Sequence, residues 1–261
     1  MGARLKGQII LNTRPAHQQA ELTLMLEQDG ARVLAFPVID IKPGGADANR
    51  VAADAANADI LLFVSRNAVE GAARLVDFDR LQQGVRFGVI GGATHAALAQ
   101  ALATGALDLD DCLVAGEPYN SETLLQAPLL QNVEGRRVLI LRGQQGRNLL
   151  GDELRHRGAH VDYAEVYRRE LPGAGSADFE RLVEQGFPTL VVLTSGEGMH
   201  NLFELADETA ARALRAVPWL LISERMRESA LKLGHNATVL IAKNASDEGI
   251  RQTICEWADQ R

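Results

Sequence analysis

Ile9-Ile-Leu-Asn-Thr-Arg14, a stretch of helical character and Gly30-Ala-Arg-Val33 return about 130 residues later as Val138-Leu-Ile-Leu-Arg-Gly143, a second such stretch and Gly158-Ala-His-Val161. The echo continues outward. Ile60-Leu-Leu-Phe-Val-Ser65 comes back as Leu190-Val-Val-Leu-Thr-Ser195, Phe87-Gly-Val-Ile90 as Trp219-Leu-Leu-Ile222, and Cys112-Leu-Val-Ala115 as Val239-Leu-Ile-Ala242. A solenoid unit spans only a few tens of residues, so a repeat this long reads as two similar domains. The expectation is that they face one another, with function sought in the gap between them.

Short aliphatic runs alternate with longer helical segments, the pattern of a parallel sheet covered by helices on both faces, so the class is α/β. In the first unit a strand over residues 8–12 meets a Thr13-Arg14 corner. Pro15 then suits a helix first turn, Leu22 and Leu26 stand one turn apart, and Gly30 is the stop. Leu150, Leu154 and Gly158 repeat that spacing. After each glycine comes a longer extended stretch, Val33 to Lys42 and Val161 to Leu171. These paired connectors predict a discontinuous first domain, residues 1–36 with 172–261, and a second domain of residues 37–171. The second would include connector strands at about 37–42 and 161–171. Two contiguous halves cut near residue 134 are the competing division.

With 261 residues the chain has room for two cores of roughly 100 to 150 residues each. Its 46% hydrophobic and 23% charged content is that of an ordinary globular protein. A formal charge of −7 argues against bulk binding to nucleic acid or an anionic membrane. Cys112 and Cys255 lie far apart without metal-ligand or CxxC spacing, which suits reduced thiols. The N-terminal apolar segment is broken by Asn12 and Arg14, too short for a signal or a membrane span, and a cytoplasmic address is expected.

Open parallel sheets bind ligands beyond the carboxyl ends of their strands, where helix N-termini also point. The polar residues gather there. The second domain would present Ser65-Arg66-Asn67, Gly91-Gly-Ala-Thr94, Gly116-Glu-Pro-Tyr-Asn-Ser121 and Arg142-Gly-Gln-Gln-Gly-Arg147. The first would present Thr13-Arg14, Thr194-Ser195-Gly196, Ser223-Glu-Arg225 and Asn244-Ala-Ser-Asp247. Free amides and guanidinium forks suit a ligand with many anionic groups. The plainer reading is that these are the helix caps any α/β protein needs. No GxxxxGK[ST], no GxGxxG after the first strand, no HExxH and no GxSxG occurs, and the six histidines are scattered. Nucleotide, metal and nucleophile-elbow chemistries therefore lack support, and no cofactor is expected.

Several segments together carry a family likeness. They are Thr13-Arg14-Pro15, Phe36-Pro-Val-Ile39, Phe63-Val-Ser-Arg-Asn-Ala-Val69, Arg137-Val-Leu-Ile-Leu-Arg-Gly143, Gly158-Ala with Val166-Tyr-Arg-Arg169, Thr194-Ser195, Ile222-Ser223 and Ser246-Asp247. In order and spacing the chain resembles the uroporphyrinogen-III synthase family over nearly its whole length. The resemblance implies two flavodoxin-like domains joined by a two-stranded β connector, and a cofactor-independent lyase of haem biosynthesis acting as a cytoplasmic monomer. It implies closure of linear hydroxymethylbilane, a tetrapyrrole polycarboxylate, to uroporphyrinogen III with inversion of ring D and loss of water through a spiro intermediate. Transient contact with the preceding enzyme of that pathway would fit.

By the same resemblance Tyr167 matches the tyrosine proposed to help the hydroxyl leave. Thr13, Arg14, Ser65, Asn67, Thr94, Arg142, Arg147, Thr194, Ser195, Ser223 and Arg225 are the expected substrate contacts. The Gly91–Thr94 loop lacks the proline often seen there, and Arg66 occupies a variable position. A non-catalytic polycarboxylate-binding module and a tandem receiver or flavin-binding pair are the alternatives. The strand ends at Asn12 and Arg142 lack the carboxylate a receiver needs.

Overall fold

The computed structural model describes residues 3–102, 109, 111–173 and 175–261. In the first half the strands are β1 (Ile9–Asn12), β2 (Arg32–Ala35), β3 (Asp40–Pro43), β4 (Ile60–Phe63), β5 (Arg86–Val89) and β6 (Leu113–Val114). The second half adds β7 (Arg137–Gly143), β8 (His160–Glu170), β9 (Leu190–Leu193), β10 (Trp219–Leu221) and β11 (Val239–Ile241). The chain divides into two compact units, Met1–Asp40 with Glu170–Arg261, and Ile41–Arg169.

The first unit holds a parallel five-stranded sheet in the order β11-β10-β9-β1-β2. The second holds a six-stranded sheet in the order β3-β8-β7-β4-β5-β6, with parallel pairing from β8 through β6. Setting the sequence repeat on these sheets pairs β1 with β7, β2 with β8, β9 with β4, β10 with β5 and β11 with β6. The two orders then coincide, and β3 is the extra edge of the second sheet. Each copy of the repeat gives two strands to one sheet and three to the other, so neither unit is a contiguous half of the chain. In both sheets the order reverses beside the first strand of the repeat, at β1/β9 and at β7/β4.

The central strands are apolar without alternation because helices cover both faces. Leu61 and Phe63 of β4 join Leu139 and Leu141 of β7 in one core, while Ile60 and Leu62 join Val138 and Ile140 in the core on the opposite face. In the first unit Ile10, Leu190, Val192 and Leu220 pack against Leu22 and Leu26 of helix Ala20–Gln28 and Ile250 and Ile254 of helix Asp247–Ala258. Helices Ala20–Gln28 and Leu149–His156 end at Gly30 and Gly158, whose φ values of 93° and 86° are the left-handed values that side chains disfavour.

The first connector is not one extended strand. It divides into β2 and β3 because Pro37 interrupts it and Phe36, Val38 and Ile39 turn into the first unit's core. Phe36 meets Phe179 edge to face at 5.1 Å, and the Phe36 and Val38 amides donate to the carbonyls of Asn12 and Thr13. The second connector, β8, runs unbroken for 11 residues.

The two cysteines are free thiols. Burial pushes Cys112 up to about 11. Burial, with the neighbouring Asp29 carboxylate, does the same to Cys255, whose Sγ donates to Asp29 Oδ2 at 3.4 Å. The Arg251 guanidinium, 2.6 Å from Asp29, holds that carboxyl below its ordinary value and ties the end of helix Ala20–Gln28 to the C-terminal helix.

His235 is buried flat against Trp219, with ring centroids 4.1 Å apart. Neither ring nitrogen has a hydrogen-bond partner among the described residues. Burial lowers its pKa, and the nearby backbone of Thr238 and Ala237 opposes the shift more weakly. Above the ordinary value of about 6.5 the ring is neutral whether folded or unfolded. Below it the unfolded chain takes up a proton before the folded one, so stability falls as pH drops from there through the lowered folded value. The melting midpoint of the wild-type protein is therefore expected to fall more between pH 7 and pH 5 than that of His235→Phe, by a few degrees in a thermal melt. Equal slopes for the two proteins would show that His235 does not carry this loss.

Candidate active site

In the second unit the carboxyl end of β4 leads through Val64 to Ser65, which caps helix Arg66–Ala72. Its backbone is extended, and its Oγ accepts from the Ala68 amide at 3.2 Å. The same oxygen lies 3.1 Å from the phenol oxygen of Tyr167. Tyr167 reaches this place through a register slip. Arg137 through Arg142 of β7 pair in step with His160 through Glu165 of β8, but Gly143 pairs with Tyr167, leaving Val166 as the extra residue of a bulge.

Without the slip, strict alternation would send Tyr167 to the face of Tyr163, which packs against the opposite core. With it, the adjacent side chains Val166 and Tyr167 enter the core that contains Leu139, Leu141 and Phe63. The phenol is only 6% exposed. Gly143 lies directly under it: a Cβ at that position would stand 2.7 Å from Tyr167 Cζ, so only glycine leaves room for the ring.

Around this pair the expected ligand groups divide into engaged and unengaged. Arg142 is buried with its guanidinium 3.9 Å over the Tyr163 ring. It donates to the Gly146 carbonyl at 3.2 Å, to Asn148 Oδ1 at 2.8 Å and to Glu165 Oε1 at 3.1 Å. This arginine staples the loop after β7, and only its Nε is left without a partner. Arg147 makes a two-pronged, exposed pair with Glu122 at 2.8 and 3.0 Å, which lowers the carboxyl's pKa and raises that of the guanidinium. Thr94 is buried and donates to the Ile90 carbonyl at 2.8 Å, and Asn67 is buried in the first turn after Ser65.

The first unit shows the same division. Thr13 donates to the Val192 carbonyl at 2.6 Å. Arg14, 6% exposed, forms an ion pair with Asp247 in the first turn of the C-terminal helix, which Ser246 caps. Ser195 accepts from the Gly198 amide at 3.0 Å, capping helix Gly196–Leu205. At the ends of the adjacent strands β9 and β10, by contrast, the hydroxyls of Thr194 and Ser223 make no hydrogen bond among the described residues. Arg225, exposed in the first turn of helix Glu224–Lys232, has no ion pair there. Free donors and a free cation thus gather on one stretch of the carboxyl edge, a suitable seat for carboxylates.

Sequence reasoning reached Ser65 and Tyr167 separately but not their hydrogen bond, nor Gly143 as the floor, nor Asp247 and Glu122 as partners of the arginines. The one-residue slip in β8 that joins the pair has no marker in the local sequence. The glycine ending an otherwise aliphatic strand was the one available hint.

The model of the family described as uroporphyrinogen-III synthase HemD matches residues 20–252. The uroporphyrinogen-III synthase of Escherichia coli (strain K12) is 33% identical over 251 residues, covering 94% of this chain and 99% of that protein. The enzyme of the same name from Salmonella typhimurium (strain LT2) is 33% identical over 252 residues, with the same coverage. Among solved structures, a mutant uroporphyrinogen III synthase of the extremely thermophilic bacterium Thermus thermophilus superposes with a TM-score of 0.60 at 17% identity, covering 97% of this chain and 99% of that one. Uroporphyrinogen-III synthetase of Helicobacter pylori 26695 gives 0.57 at 14%, covering 96% and 99%. These two likenesses concern the fold. The matched span and the sequence identity along nearly the full length establish that the chain belongs to the uroporphyrinogen-III synthase family.

Proposed function

We propose that this chain closes hydroxymethylbilane to uroporphyrinogen III, inverting ring D and releasing water, and that Tyr167 assists departure of the hydroxyl. The observation that carries the catalytic part is the buried phenol of Tyr167, seated by Gly143 and 3.1 Å from Ser65 at the carboxyl edge of the second sheet. The bilane bears an acetate and a propionate on each pyrrole. The unengaged Thr194, Ser223 and Arg225, with the free amides of the adjoining helix starts, are suited to receive part of that charge. Ser195, Thr94 and Thr13 shape the same edges through a cap and backbone bonds, and Asn67 is buried in the turn after Ser65. Arg14, Arg142 and Arg147 hold the loops in place and add positive potential.

The chemistry belongs largely to the substrate. As the hydroxymethyl C–O bond breaks, its electron pair leaves with oxygen, and the pyrrole nitrogen donates into the vacated carbon to give an azafulvene cation. Attack by the substituted carbon of ring D forms the spiro intermediate, which fragments and recloses at the free carbon of that ring. The proton that departs with the hydroxyl is balanced by the one lost from this carbon as aromaticity returns, so the net loss is one water. A phenol can donate to the leaving oxygen while uncharged.

The protein's greater task is to hold the bilane so that the substituted carbon reacts ahead of the free one, an orientation effect. Pyrroles supply the electrons at each step, so the reaction needs no resident cofactor. No helix of the described residues is long and apolar enough to cross a membrane. In this reading the protein acts in the cytoplasm, on bilane handed over by the enzyme that makes it.

Incubating hydroxymethylbilane with the protein, oxidising the products and separating the porphyrin isomers is expected to give predominantly the III isomer; the I isomer alone would overturn the assignment. Tyr167→Phe is expected to lower kcat by roughly 10- to 100-fold with KM within about twofold. Arg225→Ala, which removes one of many charge contacts, is expected to raise KM by roughly two- to tenfold at unchanged kcat. Steady-state kinetics of the two variants checks both, and the opposite pattern would exchange their roles.

A further inference from the structure

Either oxygen of the Ser65–Tyr167 hydrogen bond can be the donor, and the two directions leave different protons free. The Ala68 amide can only donate, so Ser65 Oγ accepts from it at 3.2 Å and keeps its own proton to give. If Tyr167 donated to Ser65, the phenol's one proton would be spent inside the protein, and the serine proton would have no acceptor among the described residues. If Ser65 donates to Tyr167, a single line of donors runs from the Ala68 amide through Ser65 Oγ–H to Tyr167 Oη–H. The last proton of that line is free for an oxygen outside the protein, and each bond polarises the next. Gly143 fixes the other coordinate, since the ring rests where a Cβ would be and its oxygen is confined to the Ser65 side.

We propose that Ser65 is a positioning residue for the reaction: its hydroxyl donates to the Tyr167 oxygen and so turns the phenol proton toward the departing hydroxyl of the substrate. The inference rests on the reading of Tyr167 as the group that assists that departure. It assigns Ser65 a role through the tyrosine rather than through contact with a substrate carboxylate.

The test is a double-mutant cycle, because a residue acting through Tyr167 has nothing to act on when the phenol oxygen is gone. Ser65→Gly removes the hydroxyl while remaining an acceptable helix cap, and Ser65→Thr keeps both functions. In the wild-type background Ser65→Gly is expected to lower kcat by roughly two- to tenfold, the range of one neutral hydrogen bond, with KM within about twofold and an unchanged melting midpoint. Ser65→Thr is expected to retain most of the turnover. In the Tyr167→Phe background Ser65→Gly is expected to cost less than about twofold more.

An equal loss in both backgrounds, a rise in KM in place of a fall in kcat, or no loss from Ser65→Gly would overturn the proposal. Wild-type turnover in Tyr167→Phe alone would instead remove the premise that the tyrosine assists. That failure is read in the single variant, before Ser65 is touched.

Discussion

One residue of slippage between two parallel strands decides where Tyr167 stands in the second unit. Through Arg142 and Glu165 the pairing of β7 with β8 is regular. One step later Val166 is left over, and the side chains that follow change faces. A parallel strand gives each position one face, and a side chain as large as tyrosine cannot be sent to the other face by rotamer choice alone. The bulge does it at the cost of one ladder position. It delivers the phenol to the end of β4, where the chain is already turning through Ser65 into a helix. The aliphatic core beneath, from Phe63 to Leu141, gives the ring a rigid support.

A second constraint governs the arginines. A guanidinium buried at a strand end must be matched by acceptors, because an unpaired charge there costs several kcal/mol. Arg14 and Arg142 are matched, one by Asp247 and the other by loop carbonyls, Asn148 and Glu165. They are therefore fixed parts of the loops, and in the proposed function ligand charge falls to groups still unengaged at the ends of β9 and β10. In a chain of net charge −7 the strand-end cations Arg14, Arg66, Arg142 and Arg147 each have a carboxylate of their own, whereas Arg225 has no ion pair among the described residues.

The strand and helix positions were legible in the sequence because they depend on local signals. Leu22 and Leu26 one turn apart, Gly30 at a left-handed stop, and unbroken aliphatic runs at Ile60–Phe63 and Leu190–Leu193 each specify their element without reference to distant residues. Tyr167 and the strand-end polar residues were legible through family likeness and the general geometry of parallel sheets. What could not be read was pairing at long range. The partners of Arg14 and Arg147 lie 233 and 25 residues away, and Phe179, against which Phe36 packs beside the Pro37 break, is likewise remote in sequence. A cap such as Ser65 looks the same in sequence whether or not a phenol stands beside it.

The duplication supplies its own control for that last ambiguity. Ser195 is the repeat counterpart of Ser65, and it caps its helix in the same manner, accepting from the amide three residues on. Capping alone therefore accounts for a serine at both places. Beside the two serines the copies differ. Near Ser195 the neighbouring Gly198 faces Val38 and Ile39, aliphatic residues of the first connector, with Val38 Cγ2 3.2 Å from where its Cβ would lie. In the second unit the counterpart of Ile39 is Tyr167, and the place that strand register gives to Pro15 in the first unit is held by Gly143, the one residue small enough to admit the ring. A phenol in place of an isoleucine adds a polar atom that a purely packing role would not need, and it requires a glycine and a bulge to accommodate it. The unit without the tyrosine folds with the same strand order and the same cap, so these accommodations follow from the presence of the tyrosine and not from any demand of the fold.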